Sequence, residues 1–263
     1  MSSVETTEVG ALLDGIASGR VEVVELTQPL SESTPVIKLP PPFANTPGLS
    51  REEISHYDDR GPAWAWYTLT IGEHVGTHLD APIHWVTGKD GDDVASIAAT
   101  RLVGPACVVD KTAETEQDPG YLLTAADLEA WEAEHGRMPD GAWVLLRTGW
   151  GVRAQDEAAF LNVGDSGPVT PGPDVEASKW LAHERRISGF GVETVGIDAG
   201  AAGGMDPPFP VHNLLLGAGR LGLTQLANLD RLPPTGALIV VAPLRLVGGT
   251  GSPSRVFAFV PRG

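Results

Sequence analysis

The chain has one cysteine in 263 residues, so no internal disulfide can form. Cys107 sits in the apolar run PACVV and reads as a small buried core residue, not a reactive thiol. Basic side chains are scarce. Eighteen lysines and arginines face 34 aspartates and glutamates, and the formal net charge of -16 repels phosphate backbones and anionic lipid surfaces. Neither nucleic acid nor a membrane is therefore an expected partner. No run of about 18 apolar residues occurs. The start MSSVETTEVG lacks the basic and apolar parts of a secretory signal, so the expected location is the cytoplasm. There is no internal repeat, and no GxGxxG or GxxxxGK[ST] follows a strand, which leaves nucleotide binding without support. GxSxG is missing too, and with Cys107 in apolar surroundings no serine or cysteine nucleophile stands out.

What is present describes an ordered globular chain. Hydrophobic residues make up 42%, enough for a sizeable core, and the 32 glycines and 22 prolines fall between apolar runs as turns would. Val9, Leu12, Leu13 and Ile16 recur at helical spacing, which predicts a short amphipathic helix in an N-terminal extension over residues 1–20, ahead of a single domain over 21–263. VEVVELTQPL alternates as a strand. The following STPVIKLPPPFANTP cannot join a central sheet and should lie over the surface or a cleft as a pocket wall. Two helices are expected, LTAADLEAWEAEHG with Thr124 and Asp127 at capping-box spacing, and PDVEASKWLAHERRISG stopping near Gly189. AWVLLRT, VGIDAG, LVGPACVVD and ALIVVAPLRLVG supply strands. Strands outnumber helices, which predicts a mixed α/β domain with several sheets or a half-barrel, flanked by short helices.

One stretch carries chemistry. GEHVGTHLDAPIHW, from Gly72 to Trp85, holds three of the seven histidines and an aspartate, where an even spread would put about 0.3 histidine in eleven positions. His74, His78, Asp80 and His84 share parity. An extended chain would set them on one face, whereas a helix would turn Asp80 about 200° from His78. Gly72, Gly76 and Pro82 also argue against a helix, and Ile71, Val75 and Leu79 give the opposite face something to bury. The bland alternative is a set of hydrated histidines on a surface hairpin. Three ligands from His74, His78 and Asp80 would leave coordination positions open on a divalent ion, which is hydrolytic machinery. Pro82 should end the strand and free His84, whose ordinary pKa near 6.5 suits proton transfer.

HVGTHLDAPIH fits HxGTHxDxPxH and resembles the cyclase-like family of metal-dependent hydrolases, which includes bacterial kynurenine formamidases and isatin hydrolases. LTQPLSESTPV, GIDAG, HNLLLGAG, ANLDRLPPTGALIVVAPLRL and GSPSRVFA extend the resemblance in the family's order over the chain after about residue 20. It implies a swivelling β/β/α-type fold, assembly as homodimers or homotetramers, metal ligation by His74, His78 and Asp80, and an acid/base role for His84. Formamidases of the family have a substrate-contacting tryptophan after STPV, where this chain has Ile37. They also carry a glutamate that bridges two zinc ions twelve residues after a second-site histidine; counted from His212, that position is Thr224. Without the bridging carboxylate, one divalent ion is expected, Mn2+ or Zn2+, with Gln225 as a neutral oxygen ligand. Gln225, LPPPFANTP, GPAWAW and the HW pair resemble the isatin-hydrolase branch.

That branch implies a small, planar, aromatic amide substrate, which needs flat apolar walls. Trp64, Trp66, Trp85 and Phe43 are available, each also a plausible core filler; Trp85, next to His84, together with Trp66 and Phe43, is expected to contact substrate. His212 is either a remnant of a second metal site or a polar pocket residue. Asp198 could support a ligand histidine or cap a turn, while His56, His135 and His183 belong to solvated faces. The expected activity is opening of a cyclic amide such as isatin. The alternatives are an N-formylkynurenine-type arylformamidase, an aromatic-pathway cyclase, or a metal-containing binding protein without turnover.

Overall fold

The structure, a computed structural model, describes residues 7–262, so residues 1–6 of the expected N-terminal extension lie outside the described range. Helix α1 (Glu8–Ala17) begins where the Thr7 side chain accepts a hydrogen bond from the Gly10 amide. Its apolar stripe is only partly covered, Val9 and Leu13 remaining 68% and 60% exposed.

The principal strands are β1 (Val21–Glu25), β2 (Ser50–His56), β3 (Ala65–Thr70), β4 (His78–Asp80), β5 (Val103–Asp110), β6 (Trp143–Arg147), β7 (Gly189–Val192), β8 (Leu221–Thr224), β9 (Ala237–Pro243) and β10 (Gly251–Pro261). Seven of them form a ring in the order β10-β9-β5-β6-β7-β8-β4, and β4 closes it by pairing back onto β10. The half-barrel expected from the strand count is thus a closed mixed barrel. Strand β1 pairs antiparallel with the distal part of β10, and β2 and β3 form a separate hairpin. Strands β5 to β8 run parallel; β4, β9 and β10 join antiparallel.

Side-chain alternation explains the two layers of core. Ala106, Val108, Trp143, Leu145, Leu221, Leu223, Ile239, Val256 and Ala258 point into the barrel. Cys107, Val109, Val144 and Leu146 alternate with them and point outward, beneath Leu128, Trp131 and Leu181 of the flanking helices. Burial raises the Cys107 thiol to about 11, as suits a core residue. Helix α2 (Thr112–Gln117) follows β5, and α3 (Ala125–His135) starts with the expected capping box: Asp127 N donates to Thr124 Oγ1, and Thr124 N to Asp127 Oδ2. Helix α4 (Glu157–Leu161) is one turn long.

Two expectations need correction. Helix α5 (Val175–His183) stops well before Gly189, because Ser188 N already bonds Ala142 O and draws the chain back into the sheet. VGIDAG is not a strand. Its place is taken by the preceding GFGV, β7, whose Gly189 and Gly191 face a barrel already filled by Trp143 and Leu145. A Cβ on Gly189 would stand 2.6 Å from the Trp143 ring and 2.6 Å from Leu221 O.

The proline-rich run contains no strand and lies directly over the start of the histidine motif, where a Cβ on Gly72 would meet Thr46 Oγ1 at 1.8 Å. No described helix is long and apolar enough to cross a membrane.

Gly189→Ala should overpack the barrel and cost about 1–3 kcal/mol. Gly196→Ala, where an added Cβ meets nothing within 4 Å, should stay within about 0.5 kcal/mol. Denaturant melts of both proteins check this; equal stabilities would contradict the packing account.

Candidate metal centre

Strand β4 is only three residues long, yet it is paired on both sides. His78 lies opposite Thr224 and Pro253, Asp80 opposite Gly222 and Gly251. Leu79 enters the barrel core, so His78 and Asp80 project to the other face, as parity requires. The parity expectation fails for His74, which lies outside the strand. A turn through Gly76, at φ 64°, brings it back onto the same face. Gly222 keeps the space beside Asp80 open: a Cβ there would stand 3.0 Å from Asp80 Oδ2.

His74, His78 and Asp80 each offer one ligand atom, and all three atoms lie within 4.8 Å of one another. His74 Nδ1 is 2.8 Å and His78 Nε2 is 3.3 Å from Asp80 Oδ1. His78 Nδ1 lies 2.7 Å from Gly76 O, which can only accept, so Nδ1 carries a proton and Nε2 is the nitrogen that bears the lone pair in the neutral ring. Burial pushes the Asp80 carboxyl up, but the adjacent His78 and His74 outweigh it and hold the group well below the usual carboxylate range. Thr224 Oγ1 sits 2.9 Å from His78 Nδ1. Gln225 follows at φ 54°; its backbone amide bonds Thr194 O, its carbonyl accepts from Thr77 Oγ1, and its buried Oε1 has no partner among the described residues.

Pro82 ends β4, and Pro82–His84 form a 3-10 turn that swings His84 over the cluster. Its ring stacks on His74, centroids 4.0 Å apart, and lies 5.5 Å from His212. Desolvation lowers the His84 pKa to about 4, with His74, His212 and His78 adding to the fall and Asp80 opposing it. His212 is the second residue of the π-helical segment Val211–Leu216. Asp198 tethers the start of this segment, and the histidine it holds is His212, not one of the three candidate ligands. It accepts from the amides of Val211 and His212, and it holds His212 Nδ1 at 2.5 Å. Burial alone would lower the His212 pKa; the Asp198 carboxylate overrides it and raises the value.

Trp85 packs on His212 at 4.7 Å and on Phe209 at 5.7 Å, so its ring belongs to this group. Trp66 and Phe43 stand 54% and 64% exposed, and no ring contact among the described residues joins either to the histidines. Phe209, Glu73 and Thr250 are part of the neighbourhood without having carried a signal in the sequence. Thr250 is 176 residues from the His74 it touches, and Phe209 sits in a loop with no periodicity.

A closed mixed α/β barrel carrying a buried His-His-Asp cluster beside two further histidines defines a candidate metalloenzyme class. A family profile described as "Putative cyclase" matches residues 24–199, and the chain belongs to that family. It is 50% identical over 250 residues to the isatin hydrolase of Roseibium aggregatum, covering 94% of this chain and 95% of that one. A crystal structure of an isatin hydrolase bound to the product analogue thioisatinate superposes over 100% of both chains with a TM-score of 0.95 at 48% identity. The kynurenine formamidase of Salinibacter ruber is 30% identical over 192 residues, covering 72% of this chain and 76% of its own.

Asp198→Ala removes the influence that raises the His212 pKa and leaves burial, so an NMR titration should show the His212 midpoint falling. Stability should drop by about 1–3 kcal/mol because two buried amides lose their acceptor. An unmoved midpoint would refute the coupling.

Proposed function

We propose that the protein is a metal-dependent amidohydrolase that opens the lactam of isatin, or a closely related cyclic aryl amide, to the aminoaryl glyoxylate. The observation that carries the proposal is the convergence of His74, His78 and Asp80 beneath a half-buried, stacked His84. Similarity to isatin hydrolase over nearly the whole chain supports the choice of substrate.

The residues fit a divalent cation. Two imidazoles and a carboxylate supply borderline nitrogen and hard oxygen donors, a set compatible with Mn2+ or Zn2+. Gln225 Oε1, buried without a partner among the described residues, is assigned as a further neutral oxygen ligand. Thr224 brings no charge where a bridging carboxylate would stand, which supports one ion per chain. When bound, such an ion supplies Lewis acidity, polarising a carbonyl and lowering the pKa of water to near 7.

The chain's own groups handle the protons. His84 is neutral at pH 7 and can accept a proton from the attacking water. The desolvation that keeps it neutral also makes its protonated form a ready donor to the leaving nitrogen. A C–O bond forms and the lactam C–N bond breaks; one water proton reaches the nitrogen as arylamine, and the other is lost from the new carboxylic acid. His212, with Nδ1 held by Asp198, has Nε2 left to orient the substrate carbonyls. Trp85 and Phe209 give the ring system an apolar wall. Trp66 and Phe43, on exposed segments, remain candidates for contacting substrate at the rim.

Assembly as a homodimer or homotetramer is also proposed. The outer sheet face sets Val23, Phe259 and Leu238 in one row and Phe257, Val240 and Val103 in the next, with Val23 and Val103 47% and 43% exposed. Such a continuous apolar surface suits a second copy of the chain. Light scattering should return a dimer or tetramer mass, and a monomer at micromolar concentration would end the idea.

The purified protein should contain one Mn2+ or Zn2+ per chain and open isatin. Activity should vanish on chelation and return with either ion. His84→Ala should keep its metal and lose about 10²–10⁴-fold in kcat. Full turnover by chelated protein would sink the metal-dependent mechanism, and unchanged kcat in the His84 variant would remove its acid/base role.

A further inference from the structure

The His74 ring is fixed from several sides, by the acid/base His84 and by groups outside both the ligand set and the proton transfer. One face carries the stacked His84 ring. Gly251 of β10 comes so close that a Cβ there would lie 2.4 Å from His74 Cε1 and 2.8 Å from Nδ1. The ring edge away from Asp80 meets Thr250, whose Oγ1 is 2.9 Å from Nε2. Thr250 is itself tied down, its carbonyl accepting from Ala81 N and its amide donating to Glu73 Oε2 at 3.1 Å.

At the Thr250 end this chain of hydrogen bonds has one polarity. A carboxylate only accepts, so the Thr250 hydroxyl, 2.6 Å from Glu73 Oε2, spends its single proton there. Its oxygen can then only accept from His74, which places the proton on Nε2 and leaves Nδ1 as the nitrogen facing Asp80. His78 takes the opposite tautomer, with its proton held on Nδ1 by Gly76 O and Nε2 facing Asp80. We propose that Glu73, acting through Thr250, is a positioning residue that locks the His74 tautomer so that Nδ1 is the metal-ligating nitrogen. The inference rests on the metal-centre assignment above and adds to it a carboxylate–hydroxyl–histidine relay. Carboxylate partners of ligating histidines commonly orient the ring and raise its basicity; here the contact passes through a threonine.

The test uses full-length protein stripped of metal, with Mn2+ as the probe and free Mn2+ followed by electron paramagnetic resonance. Wild type should bind, and His74→Ala should lose binding. Thr250→Val and Glu73→Gln should each weaken affinity about 10–100-fold. Thr250→Ser, which keeps the hydroxyl, should stay at wild-type affinity, a rescue that a purely steric role would not require. The double variant should bind no more weakly than Thr250→Val alone, because Glu73 acts only through the hydroxyl. The same residues have a readout without metal: 15N spectra of metal-free wild type should show the His74 Nε2 protonated. Thr250→Val binding as tightly as wild type, or an unprotonated Nε2, overturns the relay while leaving the metal centre intact. Wild type that takes up no Mn2+ overturns the metal centre and the relay with it.

Discussion

The structure turns on a strand of three residues. His78–Asp80 is wedged between β8 and β10, and its two ladders close the ring of seven strands. Leu79 at its centre is part of the barrel core, while His78 and Asp80 are driven to the opposite face by the same alternation. Closing the barrel and assembling the cluster are therefore one event. Gly222 and Gly251, the cross-strand neighbours of Asp80, are small because the carboxylate and the His74 ring occupy the space their side chains would need.

Within a few ångströms, the environment pushes like groups in different directions. His84 and His212 have rings 5.5 Å apart, yet burial keeps the first neutral down to about pH 4 while Asp198 favours the charged form of the second. Asp80 stays ionised despite complete burial because two imidazoles face it. Pairs of titratable groups driven apart in this way allow one site to hold a cation, accept a proton and present a donor together.

Much of the frame was legible locally. Capping-box spacing located α3, alternation located β1, and long apolar runs located β5, β6 and β9. The errors share a cause. VGIDAG has the composition of a short strand and GFGV does not, but the barrel interior at that level is filled by Trp143 and Leu145, and only a glycine-rich strand fits beside them. Likewise α5 ends early because Ser188 is claimed by the sheet through Ala142, a contact 46 residues away in sequence that no helical periodicity reveals.

The sequence by itself determined the candidate ligands His74, His78 and Asp80, the break at Pro82 and the choice of Trp85, because all lie within a dozen residues whose spacing constrains a chain of fixed reach. Only the tertiary structure decided that His74 joins through a turn and not a strand, that Asp198 serves His212, that Phe209 lies beside Trp85, and that Thr250 and Glu73 meet at the His74 ring. Those partners lie on separate segments joined by barrel closure. A contact between segments far apart in sequence leaves no period in either one to be read.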